Sequence, residues 1–280
     1  NLLISTGKDL AHITFYILNK KTLKLKNIIS ALDLYDYNHS FEALRAAPLP
    51  DNRILFTNSK TVNAETYIYD LTNNTIKKGP HYHKDRVGAF SILVLNKDEY
   101  MITGGYLKNE KDRNSIEICS ISKNKCVMQK SKLSSERPNR PLLFKTQDNK
   151  ILIVDLYIWD DFDAVELFDP KTDSIEVLGI IPKNGIEYRT YTRLQNGNIL
   201  ITGGEKGIMI AKRVKDAYIF DIEKRELRKI EGGMKYARSG HLTGVLENGD
   251  VLICGGNRGL TRCERYISRQ QPRRTKSPVI

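Results

Sequence analysis

Short apolar runs alternate with polar turns along this chain of 280 residues, and one apolar phrase returns at a regular interval. The phrase Ile199–Gly204 is repeated at Val251–Gly256 and at Tyr100–Gly105, and weaker copies occur elsewhere. The residues that align with Thr202 are separated by 52, 46, 51, 48 and 52 positions. These marker residues are Ser5, Thr57, Thr103, Val154, Thr202 and Cys254. A fixed period near ~50 residues is typical of an array of similar units, none of which can bury its apolar face alone.

Each unit is predicted to contain four short strands. Leu242 to Leu246 is an example of the first strand, and the Gly-Gly phrase forms the second. The third strand is a run such as the one that ends near Asp221, and the fourth is a run such as Glu226 to Ile230. Turn residues such as Asn196-Gly197 separate the first two strands and predict a two-residue hairpin. The glycine pair at the end of the second strand predicts a bend or a close approach of another backbone. Since no stretch shows a long helical period, we expect an all-β fold.

These repeats resemble the kelch-repeat β-propeller family, although the Trp usual on the fourth strand is missing and the one Trp is Trp159. The residues that carry the resemblance are the Gly-Gly pairs at 104–105, 203–204 and 255–256 and the strands at 67–70, 166–169 and 218–221. The resemblance implies a kelch-type propeller of about six four-stranded blades over residues 1–267. Residues 268–280 contain no acid and few apolar residues, so we expect a basic, disordered tail there. One opening strand and one final strand are unaccounted for, which leaves open whether the ring is complete in this sequence.

The resemblance also implies a function in binding. Kelch propellers commonly bind partners at one mouth of the central channel, so we expect a monomeric scaffold for a protein segment or an acidic ligand. Two alternatives stay open: a carbohydrate-active enzyme, similar to sialic-acid mutarotase or galactose-oxidase propellers, or a structural module of a larger protein. In galactose-oxidase-type propellers a Tyr precedes the copper-binding His, whereas Gly240 precedes His241 here. The resemblance therefore argues against a copper-radical oxidase, and the sequence assigns no catalytic residue, metal or other cofactor.

Arginines provide the sharpest candidate site. Seven of them lie 9 to 17 residues before the marker of their unit: Arg45, Arg86, Arg137, Arg140, Arg189, Arg193 and Arg238. In a propeller these positions converge at the start of the innermost strands, where guanidinium groups could bind carboxylates or phosphates. The alternative is that they bond to backbone carbonyls or acids nearby. His241 is expected to line the channel or to be structural, and Tyr157 and Trp159 to anchor a partner from a loop.

The net charge, the other histidines and the acidic run exclude fewer functions than the arginine positions do. The net charge of +12 comes from lysines spread through every unit, and no nucleic-acid module or membrane-spanning run is visible. The residues His81 and His83, and the acidic run 160–163, are more consistent with surface loops than with metal sites.

The four cysteines form two local pairs, Cys119 with Cys126 and Cys254 with Cys263, each on neighbouring predicted strands. Each pair can form a disulfide or remain as two buried thiols. Disulfides would indicate an oxidising compartment, so an extracellular and a cytoplasmic location both stay open.

Overall fold

A computed structural model of the chain describes residues 2–9, 12–18, 25–30, 44–59, 64–83, 86–107, 113–134, 141–155, 161–207, 212–256 and 261–268. Within these residues the regular structure consists of antiparallel β-sheets in which most paired strands are neighbours in the sequence. This confirms the predicted all-β fold of the propeller class. No described helix is long and apolar enough to cross a membrane.

The strands fall into six main sheets among the described residues. The first two sheets contain β1 (Leu2–Asp9), β2 (His12–Leu18) and β3 (Leu25–Ser30), and then β4 (Leu44–Pro48), β5 (Arg53–Ser59), β6 (Ala64–Asp70) and β7 (Thr75–Lys78). The next two contain β8 (Arg86–Val94), β9 (Glu99–Leu107), β10 (Ser115–Ser120) and β11 (Lys125–Lys132), and then β12 (Leu142–Lys145), β13 (Ile151–Val154), β14 (Phe162–Asp169) and β15 (Ser174–Pro182).

The last two main sheets and one small sheet follow β15. The small sheet has the order β16-β19-β20, the fifth main sheet β17-β18-β21-β22, and the sixth β23-β24-β25. Their strands are β16 (Ile186–Glu187), β17 (Thr190–Arg193), β18 (Ile199–Thr202), β19 (Glu205–Lys206), β20 (Lys212–Arg213), β21 (Ala217–Asp221), β22 (Glu226–Lys229), β23 (Leu242–Val245), β24 (Val251–Cys254) and β25 (Cys263–Tyr266). Four main sheets thus have four described strands, while the first and the sixth have three, in agreement with the predicted strand count.

The chain divides into two compact units, one formed by Asn1–Tyr157 and Ala164–Val177 and the other by Ile158–Asp163 and Leu178–Ile280. In the first unit, one apolar cluster joins the second and third main sheets, with Leu55 packed together with Phe90 and Tyr100. Another cluster joins the third main sheet to the fourth. In the second unit, the cluster between the fifth and sixth sheets is formed by Leu194, Leu200, Ala217, Ile219, Met234, Val251 and Ile253.

Burial within the sheets explains the repeated apolar phrase. All four residues of β13 and of β18 are buried, whereas the outer strands β7 and β22 are mostly exposed. A second strand is therefore covered on both faces, which accounts for its continuous apolar sequence rather than an alternating one.

The turns differ in one respect from the prediction. Leu194 N donates to Asn198 O, and Leu246 N donates to Asp250 O, so the loops contain three residues rather than two. Only the last loop residue, such as Gly197 with φ 90°, has a positive φ. This is the three-residue hairpin with one left-handed position, for which glycine or asparagine is the favoured residue.

The glycine pair permits a close backbone approach, as the sequence predicts. A Cβ atom on Gly203, whose φ is +63°, would lie 2.2 Å from Arg238 O. The amide of Gly204 donates to the same carbonyl at 2.9 Å. The segment that leads into β23 is thus held against the end of β18.

Candidate functional site

Arg86 and Arg238 are buried inside their own sheets. The Arg86 Nε lies 2.8 Å from Glu117 Oε1, and its other nitrogens donate to Gly104 O and, at 2.6 Å, to Ser115 Oγ. Its side chain is 0% exposed. The guanidinium therefore joins three strands of one sheet, and these contacts are of the kind that the sequence left open as the alternative to ligand binding.

Arg238 makes the corresponding contacts in the sixth sheet. It donates to Glu264 Oε1 at 2.9 Å and to Gly255 O at 2.7 Å, and its side chain is 0% exposed. Glu264 pairs in register with Ile253, two residues before Gly255. The sequence carries a signal for this pairing, since a glutamate opens the third-strand phrase in the same units that carry these arginines, but the spacing of the markers alone does not reveal it.

The fifth sheet has an aromatic residue at the glutamate position. Tyr218 pairs with Ile201 in β18, and the Arg189 guanidinium lies 5.9 Å from the Tyr218 ring centroid. Arg189 also donates to Pro182 O at 2.9 Å and to Lys183 O. A cation–π contact and backbone carbonyls thus replace the carboxylate partner.

The other predicted site residues are more dispersed. Arg45 lies in β4, and Arg193 lies half-buried in β17, where it pairs with Ile199. Four further candidates lie outside the described residues: Arg137, Arg140, Tyr157 and Trp159. Arg86, Arg189 and Arg238 each bond to groups of the protein itself.

His241 is a buried, neutral residue. Its Nε2 lies 2.8 Å from Thr202 Oγ1, and only 4% of its surface is exposed. Burial, aided by the positive charge of Arg238, lowers the pKa of His241 to about 4. An imidazole in this setting stays neutral at pH 7. Its burial favours the structural role expected for His241 over a role in ligand binding.

A basic–aromatic cluster, formed by Lys235, Tyr236, Arg238 and Arg262, lies where the chain approaches β23. Lys235 Nζ is 5.5 Å from the Tyr236 ring centroid, Arg238 Cζ is 5.8 Å from it, and Arg262 Cζ is 5.4 Å from it. The Arg262 guanidinium also donates to the Tyr236 hydroxyl at 3.5 Å. This hydrogen bond and the nearby cations lower the pKa of Tyr236.

The cluster carries excess positive charge. Glu264 neutralises Arg238 and accepts a hydrogen bond from the Lys235 amide at 2.7 Å, and among the described residues its carboxylate is the one acid paired with the cluster. Among the described residues, the exposed Lys235 ammonium and Arg262 guanidinium form no ion pair. The repeat pattern gives no sign of this cluster, because Arg262 comes from a segment between β24 and β25 that no spacing rule connects with Lys235.

An exposed tyrosine is held near the same segment. Tyr188 is 63% exposed and has a φ of 56°, which is strained for a bulky residue. Its carbonyl accepts a hydrogen bond from Gly240 N at 3.5 Å. A loop residue that combines backbone strain with an exposed aromatic ring is a candidate contact for a partner.

A buried network surrounds Asp163, the last residue of the acidic run. Tyr191 donates its hydroxyl to Asp163 Oδ2, and Lys183 Nζ lies 3.4 Å from Asp163 Oδ1 and 3.8 Å from Glu187 Oε2. Burial raises the pKa of both carboxyl groups and, together with the Asp163 charge, that of Tyr191. Within the described residues, no group of three or more His, Cys, Asp or Glu side chains is placed to hold a metal ion.

Both cysteine pairs are disulfide-bonded in the structure. Cys119 and Cys126 face each other across β10 and β11, and Cys254 and Cys263 across β24 and β25. Of the two alternatives left open by the sequence, the structure thus contains the disulfides.

Comparisons with known proteins identify the fold and leave the function open. No protein-family model and no curated protein sequence matches the chain. In structure, it is similar to YjhT with a TM-score of 0.61 and 12% sequence identity, over 91% of this chain and 88% of that one. In total 332 solved chains match, and a fold so widely used does not specify an activity. The chain has a β-propeller fold that is similar to that of YjhT.

Proposed function

We propose that this propeller is a binding module that recognises an acidic segment of a partner protein through the basic–aromatic cluster. The observation that carries the proposal is the placement of Lys235, Arg238 and Arg262 within 5.4 to 5.8 Å of one tyrosine ring. Because Arg238 is tied to Glu264, two exposed cations remain to attract a ligand.

The chemistry of the cluster favours carboxylates. A guanidinium can bind a carboxylate with two parallel hydrogen bonds, while a lysine adds a mobile point charge. Tyrosine and arginine are also the residues that most often dominate the energy of protein interfaces. The buried Arg238–Glu264 pair fixes the base of the cluster, so little order would be lost on binding.

The overall charge of the protein supports the same class of partner. A net charge of +12 would steer acidic segments toward the surface and raise the association rate at low ionic strength. The cluster would then provide the local contacts that long-range attraction lacks.

A fluorescent peptide of ten glutamates tests the proposal directly. We expect the double variant Lys235→Gln/Arg262→Gln to weaken its binding about tenfold, the effect of losing two charge-assisted contacts of ~0.7 kcal/mol each. The matched control is Lys123→Gln/Lys171→Gln, which removes the same charge from two exposed turns. Equal weakening by both double variants would show that only net charge matters and would overturn the proposal.

An enzyme acting on carbohydrates is the second candidate, and one observation favours it. Asp163 and Glu187 flank Lys183, and burial raises the pKa of both carboxyl groups, as acid catalysis requires. Glu187, whose side chain is 32% exposed, is the acid that a sugar could reach. Saturation-transfer NMR measures the rate at which the two anomers of a reducing sugar exchange. We expect a faster exchange in the presence of the wild-type protein than in the presence of the Glu187→Gln variant. Identical rates would exclude this role for Glu187.

A further inference from the structure

A four-residue turn joins β6 to β7 in the second main sheet, and its sequence carries a modification motif. Asn73-Asn74-Thr75 has the form Asn-x-Ser/Thr with a residue other than proline in the middle, which is the acceptor sequence for N-linked glycans. All three residues are exposed, so a bulky glycan at this turn would extend into solvent. A second match, Asn38-His39-Ser40, lies outside the described residues.

The side chain of Asn73 is oriented by Thr75. Asn73 Oδ1 accepts hydrogen bonds from Thr75 N at 3.1 Å and from Thr75 Oγ1 at 2.6 Å. Because a backbone N–H can only donate, the amide oxygen and not the nitrogen must face Thr75. Among the described residues, no group forms a hydrogen bond with Asn73 Nδ2. An N-linked glycan is attached to this nitrogen, so the sugar would leave both bonds to Thr75 intact.

The turn requires an unusual backbone conformation at one position, directly after Asn73. Turns of four residues join the third and fourth strands of four main sheets, at 71–74, 121–124, 170–173 and 222–225. The last residue of each turn has a positive φ, which is 55° at Asn74, 47° at Asn124, 49° at Asp173 and 59° at Arg225. Asparagine and aspartate adopt this conformation more readily than other residues with a side chain. The fold therefore explains Asn74 but not its neighbours in the motif.

Asn73 and Thr75 are not required by the turn. The third and fifth sheets have lysine or glutamate at both positions, and their turns keep the same length and the same positive φ. These residues are Lys123, Lys125, Lys224 and Glu226. In the fourth sheet the hydroxyls of Thr172 and Ser174 lie 2.7 Å apart, so a local contact forms there without asparagine. Stabilisation of the turn therefore does not account for the complete motif.

The disulfides are a separate feature that favours the same modification. Both cysteine pairs of the chain are bonded, Cys119 with Cys126 and Cys254 with Cys263. Disulfides persist in oxidising environments, which include the lumen of the endoplasmic reticulum and the extracellular space. Exposed Asn-x-Ser/Thr motifs accept glycans in secreted proteins, which pass through these environments. The bonded cysteines and the exposed motif therefore agree on one class of environment.

We propose that Asn73 carries an N-linked oligosaccharide. The donor is a lipid-linked oligosaccharide diphosphate bound by a transferase. Asn73 Nδ2 forms a bond to the anomeric carbon of the first sugar, while the bond from that carbon to the diphosphate oxygen breaks. The lipid diphosphate leaves with the electron pair, and the amide nitrogen loses one proton to a base of the transferase. The site shares no residue with the basic–aromatic cluster, so this proposal does not depend on the proposed function.

The protein isolated from the cells that produce it gives the decisive test. Peptide-N-glycosidase in water labelled with heavy oxygen converts a glycosylated asparagine to a labelled aspartate, which mass spectrometry locates. We expect the label at position 73. Recovery of the surrounding peptide with unmodified Asn73 alone would overturn the proposal, whatever is found at Asn38.

Variants show which atoms of the motif are needed. The chain is fused to a secretion leader and produced in a eukaryotic cell line, with Asn38→Gln to remove the second motif. We expect Asn73→Gln and Thr75→Val to remove the glycan completely, because one lacks the acceptor nitrogen and the other lacks the hydroxyl. Thr75→Ser retains the hydroxyl and should retain the glycan. A parent protein without glycan, or a Thr75→Val variant glycosylated to the same extent as the parent, would contradict the proposal.

The stability of the variant separates loss of the glycan from misfolding. Lysine occupies the corresponding turn position in the third sheet, so Asn73→Gln should fold like the parent protein. We expect this variant and the enzymatically deglycosylated parent to unfold at the same urea concentration. A folded Asn73→Gln variant without glycan assigns the sugar to Asn73. A folded variant that retains its full glycan would show that the sugar is attached elsewhere and that the proposal is wrong.

Discussion

Arg86 Nε lies 2.8 Å from Glu117 Oε1, and the two side chains are only 0% and 3% exposed. Arg86 begins β8, Glu117 lies in β10, and the arginine also donates to the carbonyl of Gly104 in β9 between them. One guanidinium therefore ties together three strands at the same end of a sheet. Arg238 and Glu264 repeat the arrangement in the sixth sheet.

Removal of the Arg86 charge should destabilise the protein strongly. In Arg86→Met the hydrocarbon part of the side chain is largely kept, while Glu117 becomes an unpaired buried carboxylate. We expect a loss of about 3 kcal/mol in the free energy of unfolding, as for other broken buried ion pairs. Urea denaturation followed by circular dichroism measures this loss.

A surface ion pair provides the comparison for Arg86. Arg53 lies 2.6 Å from Asp51, with side chains 23% and 37% exposed. Since exposed pairs contribute little, Arg53→Met should cost less than about 1 kcal/mol. Similar losses in both variants would mean that the burial of the Arg86–Glu117 pair has no energetic consequence.

The glycine pair should be intolerant of side chains for a steric reason. Gly203 and Gly197 both have positive φ, but a Cβ on Gly203 would lie 2.2 Å from Arg238 O, whereas one on Gly197 would meet nothing within 4 Å. Gly197→Ala should cost about 1 kcal/mol, from its backbone conformation alone. Gly203→Ala should cost at least about 2 kcal/mol more, as overpacking adds to the same penalty. Equal thermal unfolding temperatures for the two variants would contradict the close contact.

The fold was largely predictable from the sequence, and the candidate site was not. The second-strand phrase recurs because β9, β18 and β24 each carry a glycine pair with positive φ, inside β9 and directly after β18 and β24, so the spacing of the phrase indicates the sheets. The placement of Arg262 beside Tyr236 depends instead on a contact between residues 26 positions apart, outside any repeated phrase. The arginine positions were visible in the sequence, and a glutamate opens the third-strand phrase of the same units, but the strand register was needed to show that Glu117 lies beside Arg86.

The two disulfides should differ in their ease of reduction. Cys119 is fully buried and Cys126 is half-buried, whereas Cys254 is half-buried and Cys263 is exposed, so a thiol reagent reaches a sulfur of the Cys254–Cys263 bond first. Under mild dithiothreitol treatment of the native protein, mass spectrometry after alkylation should find Cys254 and Cys263 labelled before Cys119 and Cys126. Each disulfide closes a short loop, so its reduction should lower the free energy of unfolding by about 2 kcal/mol. The variant Cys254→Ser/Cys263→Ser should show no early labelling, and early labelling of Cys119 would contradict its burial.

His241 should make the stability of the protein depend on pH in a defined window. Burial lowers its native pKa from 6.5 to about 4, so the native state resists a proton that the unfolded state accepts. The neutral His241 contributes to the free energy of unfolding, and this contribution is fully present above pH 6.5. It is lost progressively as the pH falls toward 4, by at most about 3 kcal/mol. Other groups also titrate in this window, so the informative quantity is the difference from His241→Gln, which has no titrating ring.

The difference between wild type and His241→Gln has an expected sign. The wild type should lose stability relative to the variant between pH 6.5 and pH 4, and the difference should level off below the native pKa. Urea unfolding at a series of pH values measures the curve, and NMR titration of the imidazole gives the native pKa independently. A difference that stays constant over this window would mean that His241 is solvated enough to take up a proton in the native state, and its buried contact with Thr202 would need revision.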